Sequence, residues 1–192
     1  MNSINGATVE IMWKPIIAIF LLLYIVRLLI DTYLTKAYVK IHNALNLGKL
    51  DGLEEKARKL QRLCAVFSNG PYNKRNRKIY NGLCLNLATI AFTEQKEDKF
   101  LLELDKVKKE EEFEWKAFLL ALYYASKNNA EQSKAYYDKY LKCSHNNEHI
   151  RIIMEWLFSE DTKPSEDQLN QALSNFKNPM IIQLLRDNMI ID

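Results

Sequence analysis

Two hydrophobic rhythms divide the chain. From Ile11 to Ile30 the residues are apolar without periodicity, interrupted in charge only by Lys14 and Arg27; beyond residue 31 apolar side chains recur at steps of three and four. The first rhythm has the length of a bilayer crossing, about 20 residues, provided Lys14 and Arg27 extend their aliphatic stems and set their charges at the two interfaces. Trp13 on one side and Tyr24 and Tyr33 towards the other suit interfacial anchoring. A cleaved signal peptide is the first rival, but no small-residue cleavage site follows the apolar run, which continues into RLLIDTYLTK. A buried helix of a soluble protein is the second.

The other rhythm predicts helices throughout. No glycine or proline occurs between Ile16 and Leu47, so the spacing predicts one rod through that stretch, stopped by Gly48. Leu53, Ala57, Leu60, Cys64 and Phe67 then share a helix face, which SNGP at 68–71 ends. Further helices are expected at about 74–93, 96–109, 111–127, 130–142, 148–159, 165–176 and 179–189. Caps are expected from Asn129 with Gln132, from Ser165 with Gln168, and from Asn178 before Pro179.

Charge adds direction. Before the apolar run stand Glu10 and Lys14; at its end and after it come Arg27, Lys36, Lys40 and Lys49, which by the positive-inside tendency places the carboxyl-terminal side in the cytoplasm. Residues 31–80 hold 11 Lys and Arg against 4 Asp and Glu, net +7, whereas residues 81–192 hold 14 against 19, net −5. The basic half therefore adjoins the membrane, where anionic headgroups attract it. NKRNRK, with Lys74, Arg75, Arg77 and Lys78, is the densest basic run; nucleic-acid binding is its alternative reading, but the whole chain is only +3 and carries no recognisable nucleic-acid motif.

Helices of similar length in pairs prompt a search for a repeat. In ALYYASKNNAEQSKAYYDKYL, residues 121–141, a small residue and an aromatic precede a turn, and a small residue and two aromatics follow it. Ala121, Tyr124, Ser133 and Tyr137 are echoed 33 residues earlier by Ala88, Ala91, Phe100 and Leu104, and again by Ile41, Ala44, Leu53 and Ala57. The pattern resembles the tetratricopeptide repeat over about 31–147, although the family's late proline is missing and its turn glycine occurs only as Gly48. The resemblance implies helix hairpins stacked into a short α-solenoid whose first helices line a concave groove. It assigns to that groove Tyr38, His42 and Leu45 from the first pair, Leu85, Thr89 and Phe92 from the second, and Trp115, Phe118 and Leu122 from the third. Of the polar residues that clamp a terminal carboxylate in chaperone-binding members, only Asn86 has a match. Either this apolar groove is open to a partner, or helices 148–189 cover it.

Catalytic constellations are sparse. Cys143, His145 and His149 in CSHNNEHI offer three zinc ligands, but C-x-H-x3-H is no standard spacing and lacks an evident fourth ligand. A polar turn with two histidines explains the same residues. There is no phosphate-binding glycine loop, no nucleophile elbow and no H-E-x-x-H. Glu110, Glu111, Glu112 and Glu114 cluster where a helix starts, as its dipole favours. Three well-separated cysteines, Cys64, Cys84 and Cys143, make no complete disulfide framework and fit a reducing compartment.

The expectation is thus an all-α protein with a short tail (1–10), a single N-terminal transmembrane helix (11–30), tetratricopeptide-like hairpins (31–147) and C-terminal helices packed on them (148–192). Trp13, Lys14, Arg27, Lys36 and Lys40 are its expected membrane-interface residues. Such a chain sits in the cell membrane with its amino terminus outside and acts as an adaptor or accessory subunit. It recruits a protein partner (a peptide, a helix or an integral subunit) and touches membrane lipid, without cofactor, nucleic acid or small-molecule substrate. A metal-dependent membrane enzyme using Cys143, His145 and His149, and a soluble adaptor with the apolar run buried, are the alternatives.

Overall fold

The computed structural model of the chain describes residues 6–68, 74–107, 113–142, 147–159 and 163–175, together with 182 and 185. Among these are eight helices and no strand: α1 (Gly6–Asn46), α2 (Leu53–Ser68), α3 (Lys74–Thr93), α4 (Glu97–Asp105), α5 (Phe113–Ser126), α6 (Ala130–Leu141), α7 (Glu148–Phe158) and α8 (Glu166–Asn175). Each predicted helix through 176 has its counterpart here; the cap expected at Asn178 and Pro179 lies outside the described residues. The tail expected over 1–10 is helical from Gly6. α1 passes through Pro15, since a proline ring removes only a local part of the hydrogen-bond ladder, and its 41 residues reach about 60 Å.

Three helix ends share one geometry. Gly48, Gln95 and Asn128 all take a positive φ (67°, 56° and 55°). After each, the chain folds back with the same pair of bonds. The amides of Gly48 and Lys49 donate to Leu45 and Ala44, those of Gln95 and Lys96 to Phe92 and Ala91, and those of Asn128 and Asn129 to Ala125 and Tyr124. This double closure satisfies carbonyls that a helix end otherwise leaves open. Gln95 and Asn128 thus adopt, as non-glycine residues, the conformation that Gly48 takes. The next helices start on side-chain caps where the sequence supplies them. Asn129 accepts the Gln132 amide, Asn147 accepts those of His149 and Ile150, and Ser165 and Gln168 bond reciprocally.

α1 and α3 run parallel and in register. Asn76 Nδ2 donates to Asp31 Oδ1 (3.0 Å), 45 residues away, and His42 Nδ1 lies 3.2 Å from Asn86 Oδ1, 44 residues away. Between them the Tyr38 ring lies on the backbone at Gly82, where an added Cβ would sit 2.5 Å from the phenol oxygen. Only glycine leaves that space. Leu34, Ile41 and Leu45 of α1, Leu53, Ala57, Leu60 and Cys64 of α2, and Ile79, Leu83, Leu87 and Ile90 of α3 form one buried cluster. The opposite side of α3, with Leu85, Ala88, Ala91 and Phe92, belongs to a second cluster shared with α4 to α8. Residues 81–92 are buried on every side, which is why their apolar pattern lacks a polar face.

The shared turn geometry predicts a graded response to glycine. Gln95 carries the left-handed penalty of a side chain, about 1–2 kcal/mol, whereas asparagine tolerates that conformation. Gln95→Gly is expected to raise unfolding stability by about 1 kcal/mol and Asn128→Gly to change it little, read by urea denaturation of the detergent-solubilised chain. A destabilised Gln95→Gly variant would contradict the turn assignment.

Candidate interaction surface and membrane helix

Every described side chain of α1 from Trp13 to Leu29 is exposed, and the helix from Trp13 to Asn46 is long and apolar enough to cross a membrane. Three residues past Arg27 the environment changes: Ile30 and Asp31 are half-buried and Leu34 is fully buried. A single helix thus presents an unpacked apolar surface over its first part and a core-forming face over its second. Arg27 Nε stands 4.0 Å from Asp31 Oδ2, one turn along the same helix. The hydroxyls of Thr32 and Thr35 return to the carbonyls of Leu28 and Asp31. Trp13, Lys14, Lys36 and Lys40 are all exposed on α1.

The nine groove positions do not form an open apolar surface. Leu45, Leu85, Thr89, Phe92, Phe118 and Leu122 are buried, Phe118 completely. Thr89 turns its hydroxyl back to the Leu85 carbonyl (2.9 Å). Leu85, Phe92, Phe118 and Leu122 lie in the cluster that also takes in Ile150, Ile153 and Met154 of α7 and Leu169 and Leu173 of α8. The apolar groove positions are thus interior packing. Tyr38, His42 and Trp115 remain partly accessible, with Tyr38 stacked on His42 (5.8 Å between rings) and Trp115 packed on Phe118 (5.2 Å). Asn86 is buried beside His42 and its Nδ2 meets no acceptor among the described residues.

Cys143 and His145 lie outside the described residues. His149 is half-buried in the first turn of α7, its amide held by the Asn147 cap. Among the described residues no group of three His, Cys, Asp or Glu side chains is placed to hold a metal ion.

Sequence reasoning missed a buried polar cluster between α2, α3 and α4. The Glu103 carboxylate, 0 % exposed, receives Arg58 Nη1 (2.9 Å), Gln61 Nε2 (2.7 Å) and Lys106 Nζ (2.7 Å). Arg58 also pairs with Glu54 (2.8 Å), and Gln61 reaches Cys84 Sγ (3.1 Å). Burial alone would raise the Glu103 pKa, but the hydrogen bonds from Lys106, Gln61 and Arg58 outweigh it and hold the carboxyl below its ordinary range. Burial pushes the Cys64 and Cys84 thiols up to about 11, so both are protonated and unreactive at neutral pH. The donors converge on an already satisfied carboxylate, an arrangement that ties helices together. Nearby, Glu97 at the start of α4 accepts Lys127 Nζ (2.6 Å) and the Tyr123 hydroxyl, joining α4 to the end of α5. Two of the three partners of Glu103, Gln61 and Arg58, stand 42 and 45 residues away, and no local motif announces them. Compared with protein-family profiles, curated proteins and solved structures, the chain gives no match.

Because the Glu103 pKa is depressed on folding, its contribution is present above the unfolded carboxylate pKa, about 4.3, and fades as pH falls through the folded value. Glu103→Gln is expected to cost about 2–3 kcal/mol at pH 7, since Arg58 and Lys106 lose their charged partner. The gap from the parent protein should narrow as denaturation is repeated at successively lower pH; a gap independent of pH would refute the charged role. Phe118→Ala is expected to lose about 3–5 kcal/mol, and a loss under 1 kcal/mol would show that the residue is accessible.

Proposed function

We propose that the chain is a single-pass membrane protein whose helical domain, an array of tetratricopeptide-like hairpins, recruits a protein partner to the cytoplasmic face of the cell membrane. The observation that carries this reading is α1. Its apolar first part is wholly exposed while its continuation is built into the core, and a contiguous apolar surface of that length needs lipid or an equivalent apolar partner. The common closure at Gly48, Gln95 and Asn128 supports the repeat reading of the three hairpins. The positive-inside tendency supports the orientation. Partner contact falls to the accessible remnant of the first-helix positions, Tyr38, His42 and Trp115, and to the outer helix faces.

Carbonate washing of membranes that carry the full chain, together with reporters fused at its carboxyl end, tests anchor and orientation. The chain is expected to stay in the pellet, with a cytoplasm-dependent reporter active. Release into the supernatant would overturn the anchor, and activity of an export-dependent reporter would overturn the orientation. Purification after mild solubilisation tests recruitment: Trp115→Ala is expected to lose a partner that the parent chain retains while its helical content by circular dichroism is kept, the lost packing on Phe118 lowering only the melting temperature. Identical co-purified proteins from both would remove Trp115 from the contact surface.

A further inference from the structure

The parallel register of α1 and α3 fixes where the densest basic run of the chain stands. Asn76 is hydrogen-bonded to Asp31, and Asp31 is the residue immediately after the apolar run that ends at Ile30. With the same offset of 44–45 residues kept at His42 and Asn86, Lys74 and Arg75 are level with residues 29–31 of α1, and Arg77 and Lys78 with residues 32–34. At 1.5 Å of rise per residue, all four lie within about one turn of the end of the span. The interfacial layer of a bilayer is about 5–8 Å deep on each side, so this height falls inside it. Lys74, Arg75 and Lys78 are exposed and Arg77 is half-buried. α3 contains no acidic residue, and Asp31 is the one acid between Ile11 and Leu50. Tyr33, exposed at the same level, adds an aromatic ring of the kind that settles among headgroups.

We infer that Lys74, Arg75, Arg77 and Lys78 form, with Arg27, a basic collar that binds the phosphate groups of anionic lipids in the leaflet that α1 enters. The inference rests on the membrane-anchored reading above. It adds a lipid class and a binding surface to it. The collar is carried by α3 and locked to α1 through Asp31, Tyr38 and His42, so lipid contact is made by the domain as well as by the span.

The full-length chain is placed in nanodiscs of phosphatidylcholine with and without phosphatidylglycerol. Lipid retained after mild detergent extraction is then counted by mass spectrometry, and amide exchange is followed across residues 74–80. Phosphatidylglycerol is expected to be enriched and to slow exchange in that segment. Lys74→Gln/Arg75→Gln/Lys78→Gln should lower the enrichment by about fivefold or more. The remote control Lys56→Gln/Lys134→Gln/Lys142→Gln, which removes the same charge, should keep it. Equal retention by parent and collar variant overturns the inference, as does an equal loss in the control, which would reduce the effect to net charge. Tight binding of an RNA oligonucleotide that abolishes lipid enrichment would assign the run to nucleic acid instead. A chain that fails to enter nanodiscs overturns the membrane reading itself, whereas one that enters without lipid preference overturns only the collar.

Discussion

The molecule depends on one helix serving two surroundings. From Trp13 to Leu29 the side chains of α1 are exposed; from Leu34 on, one face of the helix, with Leu34, Ile41 and Leu45, is part of the core. Nothing in the backbone separates the two regimes, since α1 runs unbroken from Gly6 to Asn46. The polar residues at the boundary are all accommodated locally. Arg27 faces Asp31, Asp31 accepts Asn76, and Thr32 and Thr35 cap carbonyls of their own helix. Such closure is what a helix needs where it leaves an apolar medium, because an unsatisfied polar group there is costly.

From that helix the domain is built outward through α3. One side of α3 closes the cluster with α1 and α2, and the other side closes the cluster with α4 to α8, so neither half has a core without it. The Glu103 cluster supplies orientation where apolar contact alone would allow sliding. Two donors from α2, Arg58 and Gln61, and Lys106 at the end of α4 reach a single carboxylate, which restricts how α2 and α4 sit against each other. Ser133, buried in α6, adds a second such fix by donating to the Ala121 carbonyl of α5.

Local signals in the sequence were read well, and long-range ones were not. Helix positions followed from three- and four-residue spacing, from SNGP and from the Asn129 and Ser165 caps, all of which act within a turn or two. Small and aromatic positions recur along the chain, and residues such as Ala88, Ala121, Phe100 and Ser133 are buried. Whether the groove is open or covered was left undecided by the sequence for a physical reason. Leu85, Phe92, Phe118 and Leu122 have the same apolar character whether they face a peptide or the chain's own core, and periodicity cannot tell the two apart. The Glu103 cluster was invisible because a lone Glu, Arg and Gln on amphipathic helices look like solvated residues until the fold brings them together.

The absence of any joint in α1 has a mechanical consequence. A membrane helix longer than the local hydrocarbon thickness tilts, commonly by about 20°. Here Tyr38 seated on Gly82 and the Asp31–Asn76 bond hold α3 to the same axis, so such a tilt would be handed to the helical domain undiminished. On the proposed membrane-anchored reading, bilayer thickness would become a steering variable: a thinner membrane would lean the helical domain over the leaflet, and a thicker one would stand it upright.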